Sequence, residues 1–281
     1  MNFHAEPDLA AAYRNACTAE LRALKPGNVH DFADGHGGTV EDFEISARVS
    51  APALARRGAR IGGRILGAIE ATHAHVGWNT NLGIVLLCAP LAAAAERGGP
   101  LRQALAAGLE GLSVADAADA FAAIRLASPG GLGRSDEHDV VAPPTVDLRT
   151  AMAAAAGRDR IARAYVTDFE EVFEIGLPAL ADAGERGLDE RYCATAVHMA
   201  FLAHAPDTHI ARKFGQDRAA AVRIRAAEVL RQVPLGPLAH EPLLAFDAEL
   251  KKGGLNPGTT ADFTVATLFT ASILRFPASK S

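Results

Sequence analysis

The chain has 281 residues, a net charge of −5, 49% hydrophobic residues and only 6% aromatic ones. That length can bury a sizeable core, and a core built from Ala, Leu, Ile and Val with few rings suits close-packed helices. The acidic balance excludes a general nucleic-acid binder, yet it leaves room for a small anionic substrate held by a local group of cations. Cys17, Cys88 and Cys193 are widely spaced and form no C-x-x-C, a pattern of reduced, buried thiols. The first residues lack the basic and apolar regions of a signal peptide, and the apolar run 82–95 is too short to cross a bilayer. The expectation is a cytoplasmic protein with no membrane partner.

In chain order, the stripe Leu9, Tyr13, Ala16, Cys17, Leu21 and Leu24 predicts a helix over 8–24, stopped by Lys25-Pro26-Gly27. A loop rich in Gly and His follows. Thr39 with Asp42 makes a capping box that opens a helix to about Arg57. Further helices are predicted over 60–75, 81–96, 101–109 and 114–127, the last opened by Ser113 with Asp116. The segment 128–145 breaks the pattern with Pro129-Gly130-Gly131, His138, Asp139 and Pro143-Pro144; so long a loop in a compact domain is expected to serve function. Helical periodicity returns over 146–156, a bent 158–185, 189–205, 207–213, 216–232, 240–252 and 260–275. Without strand alternation or repeats, the expectation is an all-α single domain of roughly twelve helices over 1–276, with a frayed tail at 277–281.

Four polar clusters stand out where loops meet helices: Lys25-Pro26-Gly27-Asn28-Val29-His30, Asn79-Thr80-Asn81-Leu82-Gly83, a stretch from Asp207-Thr208-His209 through Arg212-Lys213 to Gly215, and Asn256-Pro257-Gly258-Thr259-Thr260-Ala261-Asp262. Each has a plain structural reading. Lys25-Pro26-Gly27 is a helix stop, Asp207 and Thr259 are helix caps, and Asn256-Pro257-Gly258 is a turn. Each also has a chemical one, because helix N-termini with Thr hydroxyls, carboxylates and cations suit phosphates and a divalent metal. Capping needs one polar residue of Asn79-Thr80-Asn81, and the other two match a ribose or an adenine edge. Trp78 could stack on a base or pack in the core. Asp42 and Ser46 share one helix face, and Glu20 reads as a solvated helical glutamate. No P-loop, dinucleotide-binding glycine motif, G-x-S-x-G or H-E-x-x-H occurs, and the histidines show no zinc-binding spacing.

Taken in order, these clusters resemble the triphosphoribosyl-dephospho-CoA synthase family, the accessory synthases of citrate lyase and malonate decarboxylase. The resemblance runs from about Glu20 to Phe269. It rests on Lys25-Pro26-Gly27, Asp42-Phe43 with Ser46, Asn79-Thr80 with Gly83, Gly130-Gly131-Leu132-Gly133 with Asp139-Val140, Asp207-Thr208, and Asn256-Pro257-Gly258 with Ala261-Asp262. It implies a Mg-dependent glycosyl transfer, in which a hydroxyl of 3′-dephospho-CoA attacks C1′ of the ATP ribose and adenine leaves. The implied roles are Asp207 and Asp262 for metal and oxocarbenium stabilisation, with Asp42 and Asp139 as further catalytic candidates. Lys25, Gly27, Thr208, Arg212, Lys213, Asn256, Gly258 and Thr259 would bind the phosphates. Asn79, Thr80, Asn81 and Gly83 would hold the rest of ATP.

The chain departs from the usual pattern at Asn28-Val29-His30, at Asn81-Leu82-Gly83 and at His209, as in a divergent branch found in methylotrophs and archaea. Two other readings stay open: a ribosyl or phosphoryl transferase acting on a pterin or furan one-carbon cofactor precursor, and a catalytically silent nucleotide-binding protein. Apolar helical faces permit a homodimer.

Overall fold

The computed structural model describes residues 6–32, 38–130 and 137–275. Among them the regular structure is helical, with fourteen α-helices and no strand beyond an isolated bridge. In chain order these are α1 (Glu6–Arg22), α2 (Val40–Ala55), α3 (Ile61–Val76), α4 (Leu82–Arg97), α5 (Leu101–Glu110), α6 (Val114–Ala127) and α7 (Leu148–Ala155). They continue as α8 (Arg160–Val166), α9 (Leu177–Glu185), α10 (Glu190–His204), α11 (Thr208–Phe214), α12 (Gln216–Gln232), α13 (His240–Lys252) and α14 (Gly258–Arg275). The all-α expectation holds, with slightly more helices than the periodicity counts. Along the chain the contacts divide into two compact units, one of Met1–Ala16, Glu44–Phe169 and Phe269–Ser281, the other of Cys17–Phe43 and Glu170–Leu268. The expected tail at 277–281 and most of the glycine loop, residues 131–136, lie outside the described residues.

A break inside 158–185 turns one predicted segment into two helices, α8 and α9. After α8, Asp168 and Phe169 take φ of 49° and 60°, and Phe169 N–H reaches back to the Ala164 carbonyl at 2.9 Å. This is a left-handed helix stop built on Asp instead of the usual Gly. The Phe169 ring is buried beside Tyr165, with centroids 5.8 Å apart, and that burial offsets the backbone strain. A short π-turn, Val172–Gly176, then leads into α9. The final helix also starts earlier than expected. Ala261 N–H bonds the Pro257 carbonyl, so α14 begins at Gly258 and Thr259 lies inside its first turn.

In the first unit α4 is the hub, buried on every side from Leu82 to Ala95 except at Gly83. Its apolar run thus reflects a core position, and no single described helix is long and apolar enough to cross a membrane. Pro90 sits inside α4 and has no N–H to give the Leu86 carbonyl. Tyr165 Oη supplies the missing donor at 2.7 Å. Tyr165→Phe should therefore cost about 1–3 kcal/mol in urea unfolding, the penalty of an orphaned buried carbonyl. An unchanged midpoint would mean that the carbonyl finds another partner. Helix α3 packs on α6 through Gly62, where a Cβ would lie 2.5 Å from Asp116 Cα, and Gly62 N–H bonds Asp116 Oδ1 at 2.8 Å. Asp116 also closes the capping box with Ser113 that opens α6.

The second unit has its own core, including Leu24, Met199, Leu202, Ile210, Val222, Phe246, Leu250 and Leu255. Its π-turn packs so closely on α14 that a Cβ on Gly176 would overlap Thr267 Oγ1. This core carries the loops described next.

Candidate functional site

Three of the four clusters meet in the second unit. Gly27, with φ +83°, lies against the chain after α13, where a Cβ would come within 2.8 Å of the Leu255 carbonyl and 2.9 Å of Pro257 Cδ. Only glycine allows both that φ and that approach. Asn28 Nδ2 bonds Asn256 Oδ1 at 2.8 Å, tying the first cluster to the fourth. Thr208 and Thr259 pair through their hydroxyls at 3.1 Å, and a Cβ on Gly258 would sit 2.5 Å from His209 Nδ1, tying the third to the fourth.

Asp207 is the knot. Its Oδ1 accepts from His209 N–H at 2.9 Å and Ile210 N–H at 3.1 Å, capping α11. Its Oδ2 accepts from Thr260 N–H at 2.7 Å and from the Thr260 hydroxyl at 2.8 Å, in the first turn of α14. One buried carboxylate thereby serves the N-termini of two helices. Arg212 is half-buried and Lys213 exposed at the other end of α11.

Beside this knot lies a buried polar cluster. The Lys25 ammonium is 0% exposed and donates to Glu20 and, at 3.1 Å, to Asn28 Oδ1. Glu20, expected to be solvated, is instead buried as its ion-pair partner, because the end of α1 turns inward at Ala23 and Leu24. Burial pushes the Lys25 ammonium down and the Glu20 carboxyl up, and each opposes the shift of the other. Asp262, half-buried in the second turn of α14, also acts electrostatically on Lys25. Next along the loop, Phe32 N–H donates to His30 Nδ1 at 3.2 Å, which puts the neutral ring's proton on Nε2, facing Asp247 Oδ1 at 3.2 Å. Asp247 also accepts from Gly27 N–H at 2.8 Å and pairs with Lys251 at 3.1 Å. Burial alone would raise the Asp247 carboxyl, but the bonds from His30 and Gly27 hold it below its ordinary value.

His198, on α10, is fully buried, with neither ring nitrogen in a hydrogen bond of good geometry, and the backbone of Pro26 lies near enough to act on the ring. Burial, then the charges of Lys25 and His30, hold it well below its ordinary value of 6.5; burial also lowers His30. The unfolded chain therefore binds protons that the folded one refuses. Stability is full above about pH 6.5 and falls as the pH drops below it, by up to about 1.4 kcal/mol per pH unit for each histidine. Urea unfolding at pH 7, 6 and 5 checks this, and His198→Leu should flatten the slope. A flat profile for the parent protein would contradict it.

The remaining candidates lie elsewhere. Asp42 caps α2, accepting from Thr39 N–H and hydroxyl at 2.9 Å. Asp139 stands in a turn of the first unit, its Oδ1 accepting from Val141 N–H at 2.9 Å. The second cluster also belongs to the first unit. There Asn79 Oδ1 caps Leu82 N–H at 3.1 Å, and Thr80 pairs with Ser46 through their hydroxyls. Gly83 is half-buried in the first turn of α4.

The described residues include no group of three His, Cys, Asp or Glu side chains arranged to hold a metal. Both oxygens of Asp207 are taken by four donors. Sequence reasoning named Asn28 within the first cluster but gave it no role, and it missed His198 and Asp247. Asn28 was visible as a departure from the family pattern. His198 and Asp247 carry no local motif and acquire meaning only from what folds against them.

A family profile described as ATP:dephospho-CoA triphosphoribosyl transferase matches residues 6–280. The chain belongs to this family. Among its relatives is a 2-(5''-triphosphoribosyl)-3'-dephosphocoenzyme-A synthase of Pectobacterium atrosepticum, 30% identical over 43% of this chain and 36% of that protein. A probable synthase of the same name from Pectobacterium carotovorum is 28% identical over 46% of this chain and 44% of its own length. The chain thus matches less than half the length of these curated relatives. A crystal structure from Archaeoglobus fulgidus, provisionally named a triphosphoribosyl-dephospho-CoA synthase, superposes with a TM-score of 0.66. It is 23% identical, covers 82% of this chain and 98% of its own, and shares the fold.

Proposed function

We propose that this family member transfers the triphosphoribosyl group of ATP to 3′-dephospho-CoA, releasing adenine. The observation that carries the reading is the family match along residues 6–280, which takes in all four clusters. In the reaction, a ribose hydroxyl oxygen of the acceptor bonds to C1′ of ATP as the C1′–N9 bond breaks. The bonding pair leaves with adenine, which ends with the hydroxyl proton. The transition state is oxocarbenium-like, so it needs a nearby carboxylate and help in removing the proton. The triphosphate is retained, and its binding energy serves to position C1′.

Within the second unit, Asp262 is the carboxylate best suited to the developing cation. It is half-buried in the second turn of α14 and lies within the electrostatic reach of Lys25. Arg212 and Lys213 are the cations for the triphosphate, Arg212 through its planar fork. Thr208, Asn256, Gly258 and Thr259 shape the loops at the N-terminal end of α11. Lys25 acts from within the buried pair as a source of positive potential. Asp42 and Asp139 take second rank as catalytic groups, since each already serves a cap or a turn. Magnesium, which binds nucleotides with few protein ligands, would enter with ATP.

A second reading keeps the donor and replaces the acceptor with a pterin or furan cofactor precursor. It is favoured by the departures at Asn28, His30, Asn81, Leu82 and His209. Product analysis separates glycosyl from phosphoryl transfer, because the first liberates adenine and the second ADP or AMP. Asp262→Asn should lower turnover by about a hundredfold or more, measured beside its unfolding midpoint. Turnover within about threefold of the parent would remove Asp262 from the chemistry.

A further inference from the structure

The first unit holds a buried acceptor whose orientation is fixed by its neighbours. Ser50 has one hydroxyl hydrogen, which goes to the Ser46 carbonyl at 2.6 Å. The Ser50 oxygen can then only accept from its other neighbours, Tyr13 Oη at 3.1 Å and Asn81 at 3.3 Å. Asn81 must present Nδ2 to Ser50, so its amide cannot be turned over. Its Oδ1 is left buried, with no hydrogen-bond partner among the described residues. Asn81 is 4% exposed and occupies the N-cap position of the sixteen-residue α4, yet its side chain makes no capping bond. The cap is supplied by Asn79 instead. A buried carbonyl oxygen kept free in this way is unusual in native interiors and calls for a partner that arrives.

We propose that Asn81 Oδ1 receives a hydrogen-bond donor from a nucleoside, either a sugar hydroxyl or the exocyclic amino group. The start of α4 then reads the nucleoside end of the ligand and not its phosphates. This rests on the nucleotide-binding reading above and concerns only the nucleoside part of a ligand at the first unit. The polarity decides the matter, since ionised phosphate oxygens have no hydrogen to give and would be repelled by a carbonyl oxygen.

Equilibrium dialysis of the full chain tests this with adenosine, inorganic tripolyphosphate, purine riboside, 2′-deoxyadenosine and 3′-deoxyadenosine. Adenosine should bind saturably, and tripolyphosphate should not displace it. One of the three analogues should bind about tenfold more weakly, which identifies the amino group or the hydroxyl that meets Asn81. Asn81→Ala should bind adenosine and that analogue equally. Ser50→Ala, which keeps the carbonyl but releases the amide, should lose about threefold. The proposal is overturned if adenosine shows no saturable binding at millimolar concentration, if all three analogues bind like adenosine, or if Asn81→Ala keeps the discrimination. Should Asn81→Ala fail to fold, the analogue series on the parent protein decides alone. No acceptor is present, so failure of transfer to dephospho-CoA leaves this result standing.

Discussion

Glu20→Gln should destabilise the protein by about 3–5 kcal/mol, because it removes one partner of a buried ion pair and leaves the other charge inside. Lys25 has no solvent to turn to, and its second partner, Asn28 Oδ1, offers a dipole and not a charge. Burial pushes both groups toward their neutral forms, and the charge of each opposes that shift in the other. The sharper test is the double replacement Glu20→Leu with Lys25→Met. Buried pairs exchanged for apolar groups of similar volume are often neutral or stabilising, so the double variant should recover much of the loss in urea unfolding. A single Glu20→Gln variant within about 0.5 kcal/mol of the parent would mean that the pair is not buried in solution.

Asp207→Asn should cost about 3 kcal/mol of stability, whether or not the residue takes part in chemistry. An amide has one acceptor end and one donor end. Placed at Oδ1, its NH₂ would face the two N–H groups of His209 and Ile210; placed at Oδ2, it would face Thr260 N–H. Either way a donor meets a donor at a buried helix end, and the charge that complements two helix dipoles is lost. Thr260→Ala removes only one of the four bonds and should cost about 1 kcal/mol. The sequence alone allows Asp207→Asn to be read as a clean catalytic knockout. The geometry requires its activity to be measured beside its unfolding midpoint. Lost turnover with an unchanged midpoint would return Asp207 to the chemistry and contradict the structural role given to it.

The helices were legible because their signals are local. Ser113 with Asp116 and Thr39 with Asp42 form the boxes that their spacing predicts, and Lys25-Pro26-Gly27 does stop α1. A bend within 158–185 was expected, but its place at Asp168 was hidden, because a left-handed stop without glycine leaves no mark in hydrophobic periodicity and burial of Phe169 is a tertiary effect. The clusters were visible as surplus polar residues at helix ends, and three of them do meet. What could not be read was the currency of each carboxylate. Asp207 and Asp262 look alike in sequence, and only the donors around Asp207 show it to be a helix cap shared by two helices. Glu20, His198 and Asp247 lie on ordinary amphipathic helices, where nothing local distinguishes a buried polar side chain from a solvated one.

The most direct test of the central claim is free adenine, measured by liquid chromatography and mass spectrometry after incubating the full chain with Mg-ATP, with and without 3′-dephospho-CoA. The account predicts adenine only when the acceptor is present, in amounts equal to a triphosphoribosyl adduct of dephospho-CoA. ATP that binds but yields no adenine with this acceptor would contradict the proposed transfer.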